Sequence, residues 1–316
     1  MDERRAQLLV ICGPTATGKT DLAIALARRV GGEIVNADSR QVYRYMDIGT
    51  AKPTAAQRAA TPHHLLDVVD PDEPFTLADY LEQAHNAIAG ILTRGGLPIV
   101  VGGTGLYVRA LAQGFAVPRV PPDPRLRAEL EALAEAEGSP ALLARLRRSD
   151  AHTAATIDAR NPRRLIRAIE VAEATGVSFA AQQKARPRYD ALVLGLSADR
   201  ALLYERADRR VDAMMAAGFL DEVAALDARG YSPDLPALSG LGYRQLGEHL
   251  HGARTLDDAV QATKLATHGF IRRQLTWFRR EPGIHWLDIA HGDVVTQAIV
   301  QAEQWLAVPV AAGRAV

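Results

Sequence analysis

Cysteine is almost absent: one residue, Cys12, in a chain of 316. A lone thiol rules out an internal disulfide framework and fits a reducing compartment. Excess charge is absent too. Lys and Arg total 37, and Asp and Glu total 37, so a basic site for a polyanion must be local rather than global. No apolar run approaches the roughly 20 residues of a membrane-spanning helix, and no membrane partner is expected. Repeats, low-complexity tracts and obvious coiled-coil patterns are also missing. The opening "MDERRAQLLVICG" passes from charges directly into an apolar run, without a cleavable-signal pattern. A cytoplasmic monomer is the expectation.

What is present begins with "GPTATGKT". Gly13-x-x-x-x-Gly18-Lys19-Thr20 fits the P-loop pattern without a mismatch. Gln7 to Cys12 read as a buried strand, which makes Cys12 core filler rather than a nucleophile. Leu22, Ala25, Leu26 and Arg29 recur at helical spacing. The loop therefore joins a strand to a helix N-terminus, where free N–H groups and the helix dipole favour an anion. Gly13 and Gly18 permit the tight path, Lys19 adds a mobile charge, and Thr20 offers a hydroxyl to Mg²⁺.

The pattern continues with a strand at Glu33–Ala37, a helix from about Thr76 to Thr93, a strand at Leu97–Val101, and "GGTG" (Gly102–Gly105) opening another helix. Alternating strands and helices predict a parallel α/β sheet. Asp38 and the glycines then share one crevice with the P-loop. At Pro118, Pro121, Pro122 and Pro124 the pattern breaks. A helical stretch runs to about Arg188, and strands resume at Asp190–Ser197 and Ile284–Ile289. The expected organisation is a P-loop kinase-like α/β core, residues 1–117 and 189–316, with a helical insertion, 118–188.

A nucleotide hydrolase usually places an acid at the end of a buried strand, but Leu97–Val101 ends in glycines. Asp38, in "NADSRQVY", is the best-placed acid, although Asp-Ser equally suits a helix cap or Asx-turn. From here the chain resembles the tRNA dimethylallyltransferases, also called tRNA isopentenyltransferases. "GPTATGKT", "NADSRQVYRYMDIGTAKP", "PHHLLD", "VGGTGLY", "NPRRLIRAIEV", "MMAAGFLDEV", "GLGYRQL" and "RRQLTWFRR" occur in the family's order. The P-loop is widely shared; "DSRQVYRYMDIGTAKP" and "RQLTWF" are far more specific.

The resemblance implies transfer of a dimethylallyl group from dimethylallyl diphosphate to the exocyclic amine of the adenosine 3′ of a tRNA anticodon. The phosphate loop (Gly13, Thr15, Ala16, Thr17, Gly18, Lys19, Thr20) would then hold diphosphate, with Mg²⁺ on Thr20. Asp38 is implied as general base, Thr104 near the reacting groups, and Arg210 on the diphosphate. A plain N-cap for Thr104 and a solvated charged face for Arg206, Arg209 and Arg210 remain open.

tRNA contacts are expected from Asp38, Ser39, Arg40 and Gln41, and from Gly242, Tyr243 and Arg244 in "GLGYRQL". In the insertion, Arg127, Arg163, Arg164 and Arg167 are candidates. Ala259 to Arg280 contains no acid but carries Lys264, Arg272, Arg273, Arg279 and Arg280, a stripe suited to phosphates and stacking. Gln274, Thr276 and Trp277 are grouped with it, although Trp277 could equally pack in the core. His63 and His64 read as loop packing. The competing readings are an adenylate isopentenyltransferase acting on a free nucleotide, a P-loop kinase or ATPase, and a non-catalytic RNA-binding module.

Overall fold

The computed structural model describes residues 5–114, 117–118, 120–182 and 186–307. Residues 1–4 and 308–316, included in the expected core domain, lie outside the described residues. Two compact units are present: residues 1–112 with 188–316, and residues 113–187.

The first unit contains a parallel sheet. Its strands are β1 (Ala6–Cys12), β2 (Gly32–Asn36), β3 (His63–His64), β4 (Leu97–Gly102), β5 (Tyr189–Ser197) and β6 (Ile284–Asp288), in the order β3-β2-β4-β1-β5-β6. In the centre, Val10 of β1 lies opposite Val100 of β4 and Val193 of β5. Helices cover both faces, so the central strands are continuous apolar runs. Leu9, Ile11 and Ile99 pack on one side with Leu22 and Leu26 of the helix Lys19–Val30 and Ala298 of Val294–Ala307. Leu8, Val10 and Val100 pack on the other with Tyr80 and Ile88 of Leu77–Thr93 and Phe278 of Leu256–Phe278. This is the period of two that a strand imposes.

Local chemistry sets the boundaries. The helix Lys19–Val30 stops where Gly31 turns left-handed, φ 67°, as C-terminal glycines allow. The helix Leu77–Thr93 starts from a reciprocal Thr76–Asp79 capping box. "PHHLLD" departs from the loop expectation: His63 and His64 pair in register with Ile34 and Val35. The Nε2 of His64 meets Glu33 at 2.7 Å, and Glu33 also binds Arg94. A strand of two residues is too short to carry a sequence period.

The second unit is helical: Pro124–Glu137, Ser139–Ser149, Ala151–Thr156, Pro162–Thr175 and Phe179–Gln182. Leu130, Leu142, Leu146, Leu165 and Ile169 form its core. Pro124 and Pro162 occupy the first turns of their helices, capped by Asp123 and Asn161, where a missing N–H does no harm. Beside this core lies Glu170, 2% exposed. Arg127 grips it with two bonds, 2.6 and 2.9 Å, and Arg167 adds a third at 3.3 Å. Arg167 also donates to the carbonyls of Pro118 and Val120.

This changes the reading of Arg127 and Arg167: both are committed to a buried carboxylate inside the unit, whereas Arg163 and Arg164 are exposed. Burial pushes the Glu170 carboxyl pKa up, but the arginine bonds outweigh it and hold it below the ordinary value. Its stabilising contribution is therefore present above the unfolded carboxyl pKa and lost as pH falls through the folded one. Breaking a buried pair typically costs about 3–5 kcal/mol. Because Arg167 remains, Arg127→Ala is expected to destabilise by roughly 2–3 kcal/mol, read as lost amide protection across 124–175 in hydrogen exchange.

Candidate active site

The C-terminal ends of β1, β2 and β4 adjoin in the first unit and open into a cavity of about 280 Å³. The P-loop forms its floor. Gly13 at φ 132°, Ala16 at φ 68° and Gly18 at φ 84° set its path. A Cβ on Gly13 would stand 2.4 Å from the Leu196 carbonyl of β5, so the loop has no room for a side chain there. Thr17 donates to Pro14 O at 2.9 Å, and Lys19 Nζ to the same carbonyl at 2.7 Å. Thr15, Ala16, Gly18, Lys19, Thr20 and Arg210 line the cavity.

Asp38 lines the same cavity from the end of β2. Its Oδ1 accepts the Arg40 amide at 2.8 Å, so the Asx-turn is real. It does not displace Asp38 from the cavity. Asn36, absent from the sequence-based candidates, fixes the segment: its Oδ1 accepts the Asp38 amide, and its Nδ2 donates to the carbonyls of Asp38 and Leu65. Thr104 Oγ1 accepts the Ser39 amide at 2.9 Å and donates to Ser39 Oγ at 3.3 Å. It therefore joins the "GGTG" segment to "DSRQ" and braces Asp38 from behind.

Several expected tRNA contacts have structural duties. Gln274 is 5% exposed; its Oε1 accepts the Thr15 amide and its Nε2 donates to Gly103 O, both at 2.9 Å. Tyr243 is 2% exposed and donates to Glu222 at 2.7 Å. Gly242 is the left-handed N-cap before it, φ 87°. Arg40 bonds Ala237 O and Ser239 Oγ, Gln41 donates to Thr50 O and Ala51 O, and Arg244 pairs with Glu248. Tyr243 is thus held inside the fold, while Gln274, though largely buried, lines the cavity beside Phe270.

On the helix Leu256–Phe278, Arg272, Arg273, Thr276 and Trp277 are exposed, as is Arg279 just beyond it. Trp277 also covers Gly105: a Cβ there would lie 2.2 Å from its ring. Phe270, one turn before Gln274, lines the cavity with Lys52 and His63. Sequence reasoning did not single out Phe270 or Lys52. Phe270 shares the i, i+4 face of Gln274, which was the available signal. Arg209 pairs with Glu205, the solvated face left open for it.

Electrostatics separates the groups. Burial pushes the Cys12 thiol up to about 12, leaving it un-ionised at neutral pH. Lys19 is brought down to about 8, first by burial and then by the like charge of Arg210, with Asp38 opposing. For Mg²⁺, the cavity offers hard oxygen donors in Thr20 and Asp38. Among the described residues no group of three His, Cys, Asp or Glu could hold a metal. That donor set fits an ion arriving with a diphosphate, since Mg²⁺ keeps phosphate and water oxygens beside few protein ligands.

A family model described as IPP transferase matches residues 41–281, and one described as isopentenyl transferase matches residues 6–69. The chain belongs to the IPP transferase family. A tRNA dimethylallyltransferase from Roseiflexus sp. (strain RS-1) is 52% identical over 95% of this chain and 98% of its own length. The one from Chloroflexus aurantiacus is 50% identical over 88% and 94%. Among solved structures, the full-length tRNA isopentenylpyrophosphate transferase of Bacillus halodurans superposes with TM-score 0.71, at 39% identity and 96% coverage of both chains. A eukaryotic dimethylallyltransferase acting on tRNA gives TM-score 0.80 at 26% identity, covering 95% of this chain and 79% of that one. In this IPP transferase, no helix among the described residues is long and apolar enough to cross a membrane.

An anion on the P-loop favours charged Lys19. Diphosphate affinity is therefore expected to fall as pH rises through about 8, by up to about tenfold per pH unit. Arg210→Ala removes the like charge, so the midpoint should move upward while affinity drops overall. Calorimetric titration with inorganic pyrophosphate across that range measures both; a flat profile contradicts the assignment of Lys19 to the diphosphate.

Proposed function

We propose that this protein transfers the dimethylallyl group of dimethylallyl diphosphate to the exocyclic amine of the adenosine 3′ of a tRNA anticodon, releasing diphosphate. One observation carries the reading. A complete phosphate loop, with Lys19 and Arg210, shares its cavity with an acid at the end of the neighbouring β2. The family membership supports tRNA as acceptor over a free nucleotide. It also favours prenyl transfer over phosphoryl transfer.

The bond that breaks is carbon–oxygen, and diphosphate gains charge as it leaves. Loop amides, Lys19 and Arg210 stabilise that charge. Thr20 would hold Mg²⁺ arriving with the diphosphate, and the ion would supply further neutralisation when bound. The bond that forms is carbon–nitrogen. The amine is a weak nucleophile because its lone pair is delocalised into the purine, and it must lose a proton, which Asp38 accepts. Ser39, Thr104 and Asn36 hold the Asp38 segment in place. The adenosine must leave its stack to reach the cavity, as for other base-modifying enzymes. Arg163 and Arg164 on the insertion, and Arg272, Arg273, Trp277 and Arg279 on the core, are the exposed cationic and aromatic groups for the RNA. A single buried thiol supports a cytoplasmic setting, and a monomer suffices for this chemistry.

Labelled dimethylallyl diphosphate incubated with Mg²⁺ and unmodified tRNA should label the tRNA, while AMP and ATP arms stay unlabelled. Label in AMP alone would instead select the free-nucleotide reading. Asp38→Asn keeps the Asx-turn acceptor but removes basicity, so single-turnover transfer should fall by about 10²–10⁴-fold. Binding of either substrate should change by less than about tenfold. A wild-type rate would remove Asp38 from the chemistry.

Charge reversal of both Arg163 and Arg164 is expected to weaken tRNA binding and flatten its salt dependence. Donor affinity should stay unchanged. Equal loss of donor binding would end their assignment to RNA.

A further inference from the structure

"MMAAGFLDEV" and "GLGYRQL" have no part in the chemistry above, yet the structure joins them at one carboxylate. Glu222 lies on the helix Phe219–Ala228, and Tyr243 begins the helix Tyr243–Leu250. The Oε2 of Glu222 accepts the amides of Asp47 and Ile48, at 2.8 and 2.7 Å. Its Oε1 accepts the Gly49 amide at 3.1 Å and the Tyr243 phenol at 2.7 Å. Three successive backbone N–H groups thus converge on one negative charge, and charge-assisted bonds of this kind are the strong ones.

The packing around it leaves no slack. A Cβ on Gly49 would stand 2.2 Å from the Phe219 ring and 2.7 Å from the Tyr243 ring, and one on Gly242 would stand 2.4 Å from Phe219. Burial and the Glu222 charge both push the Tyr243 phenol far up, so it stays a donor at every working pH.

The held turn leads into the cavity wall. Its far end is anchored by Lys52, whose side chain is 1% exposed and pairs with Asp47 at 2.8 Å and with Asp67. Thr50, Ala51, Lys52 and Pro53 then line the cavity. Ala51 takes a left-handed conformation, φ 53°, which a side chain adopts only when its surroundings impose it. The Gln41 amide donates to Thr50 O at 3.0 Å and Ala51 O at 3.1 Å. A displaced turn would carry Gln41 with it, three residues from Asp38. The phosphate loop is held separately, by Gln274.

We propose that Glu222, braced by Tyr243, is a positioning residue that fixes the Asp47–Pro53 turn and so shapes the acceptor side of the cavity. This rests on the tRNA-transfer reading. A carboxylate accepts from all four donors, whereas an amide of the same shape presents an N–H to groups that also donate. Glu222→Gln therefore loosens the turn without removing volume. It should raise KM for tRNA by about tenfold, the scale of one lost charged hydrogen bond. Pyrophosphate affinity, measured calorimetrically, should stay within about twofold, well under that scale. Amide protection at Asp47, Ile48 and Gly49 should fall in hydrogen exchange. Tyr243→Phe, which removes one hydroxyl, should raise the tRNA KM by about threefold, a neutral bond's share.

A residue with only a structural role would lower the active fraction, reducing kcat with both affinities unchanged. That result overturns the proposal, as does an unchanged tRNA KM or a matching loss of pyrophosphate affinity. Should Glu222→Gln fail to fold, the same comparison in Tyr243→Phe decides. No transfer by the unsubstituted protein overturns the tRNA-transfer reading and this proposal together. Normal transfer with an unmoved tRNA KM in the variants overturns the proposal alone.

Discussion

One buried amide side chain holds the candidate site together. Gln274 takes the Thr15 amide of the phosphate loop on its oxygen and gives its N–H to Gly103 at the end of β4. The Gly103 bond is buried and the Thr15 bond partly so; an unmatched buried partner would cost about 1–3 kcal/mol. The geometry depends on missing side chains: a Cβ on Gly103 would sit 2.4 Å from Gln274 Nε2, and one on Gly102 would sit 2.0 Å from Ala37 O. "GGTG" therefore serves close approach. The ends of β1, β2 and β4 come near enough for Lys19 and Asp38 to influence each other.

The same economy explains why two charged motifs turn inward. Glu222 and Glu170 each collect several donors, one from backbone amides and a phenol, the other chiefly from two arginines. Glu170 is buried and Glu222 half-buried, and carboxylates withdrawn from water persist only with partners. Residues that look like free surface cations in sequence, such as Arg127 and Arg167, help to meet that requirement.

Much was legible in the sequence because it is local. The P-loop spacing, the apolar run of β1 and the helix start near Thr76 each depend on neighbours within a few residues. Backbone sterics, strand period and helix caps act at that range. The proline tract before Pro124 likewise announced a change of pattern, since proline forbids helix interior and favours a first turn. Asp38 was legible as an acid at a strand end, though a helix cap or Asx-turn was also open, and the structure contains the turn and the cavity position together.

Sequence alone determined the α/β pattern, the anion-binding loop and the family. It could not separate a surface arginine from one spent on Glu170, because the partners lie 43 residues apart. Nor could it tell that Tyr243 of the RNA-like motifs faces inward, or that Lys52, Phe270 and Gln274 line the cavity. Those outcomes rest on pairings such as Thr15 with Gln274, 259 residues apart, which carry no local periodicity. Only the tertiary structure brings such groups within bonding distance, and the cost of leaving a buried polar group unmatched then decides which of them face the substrate.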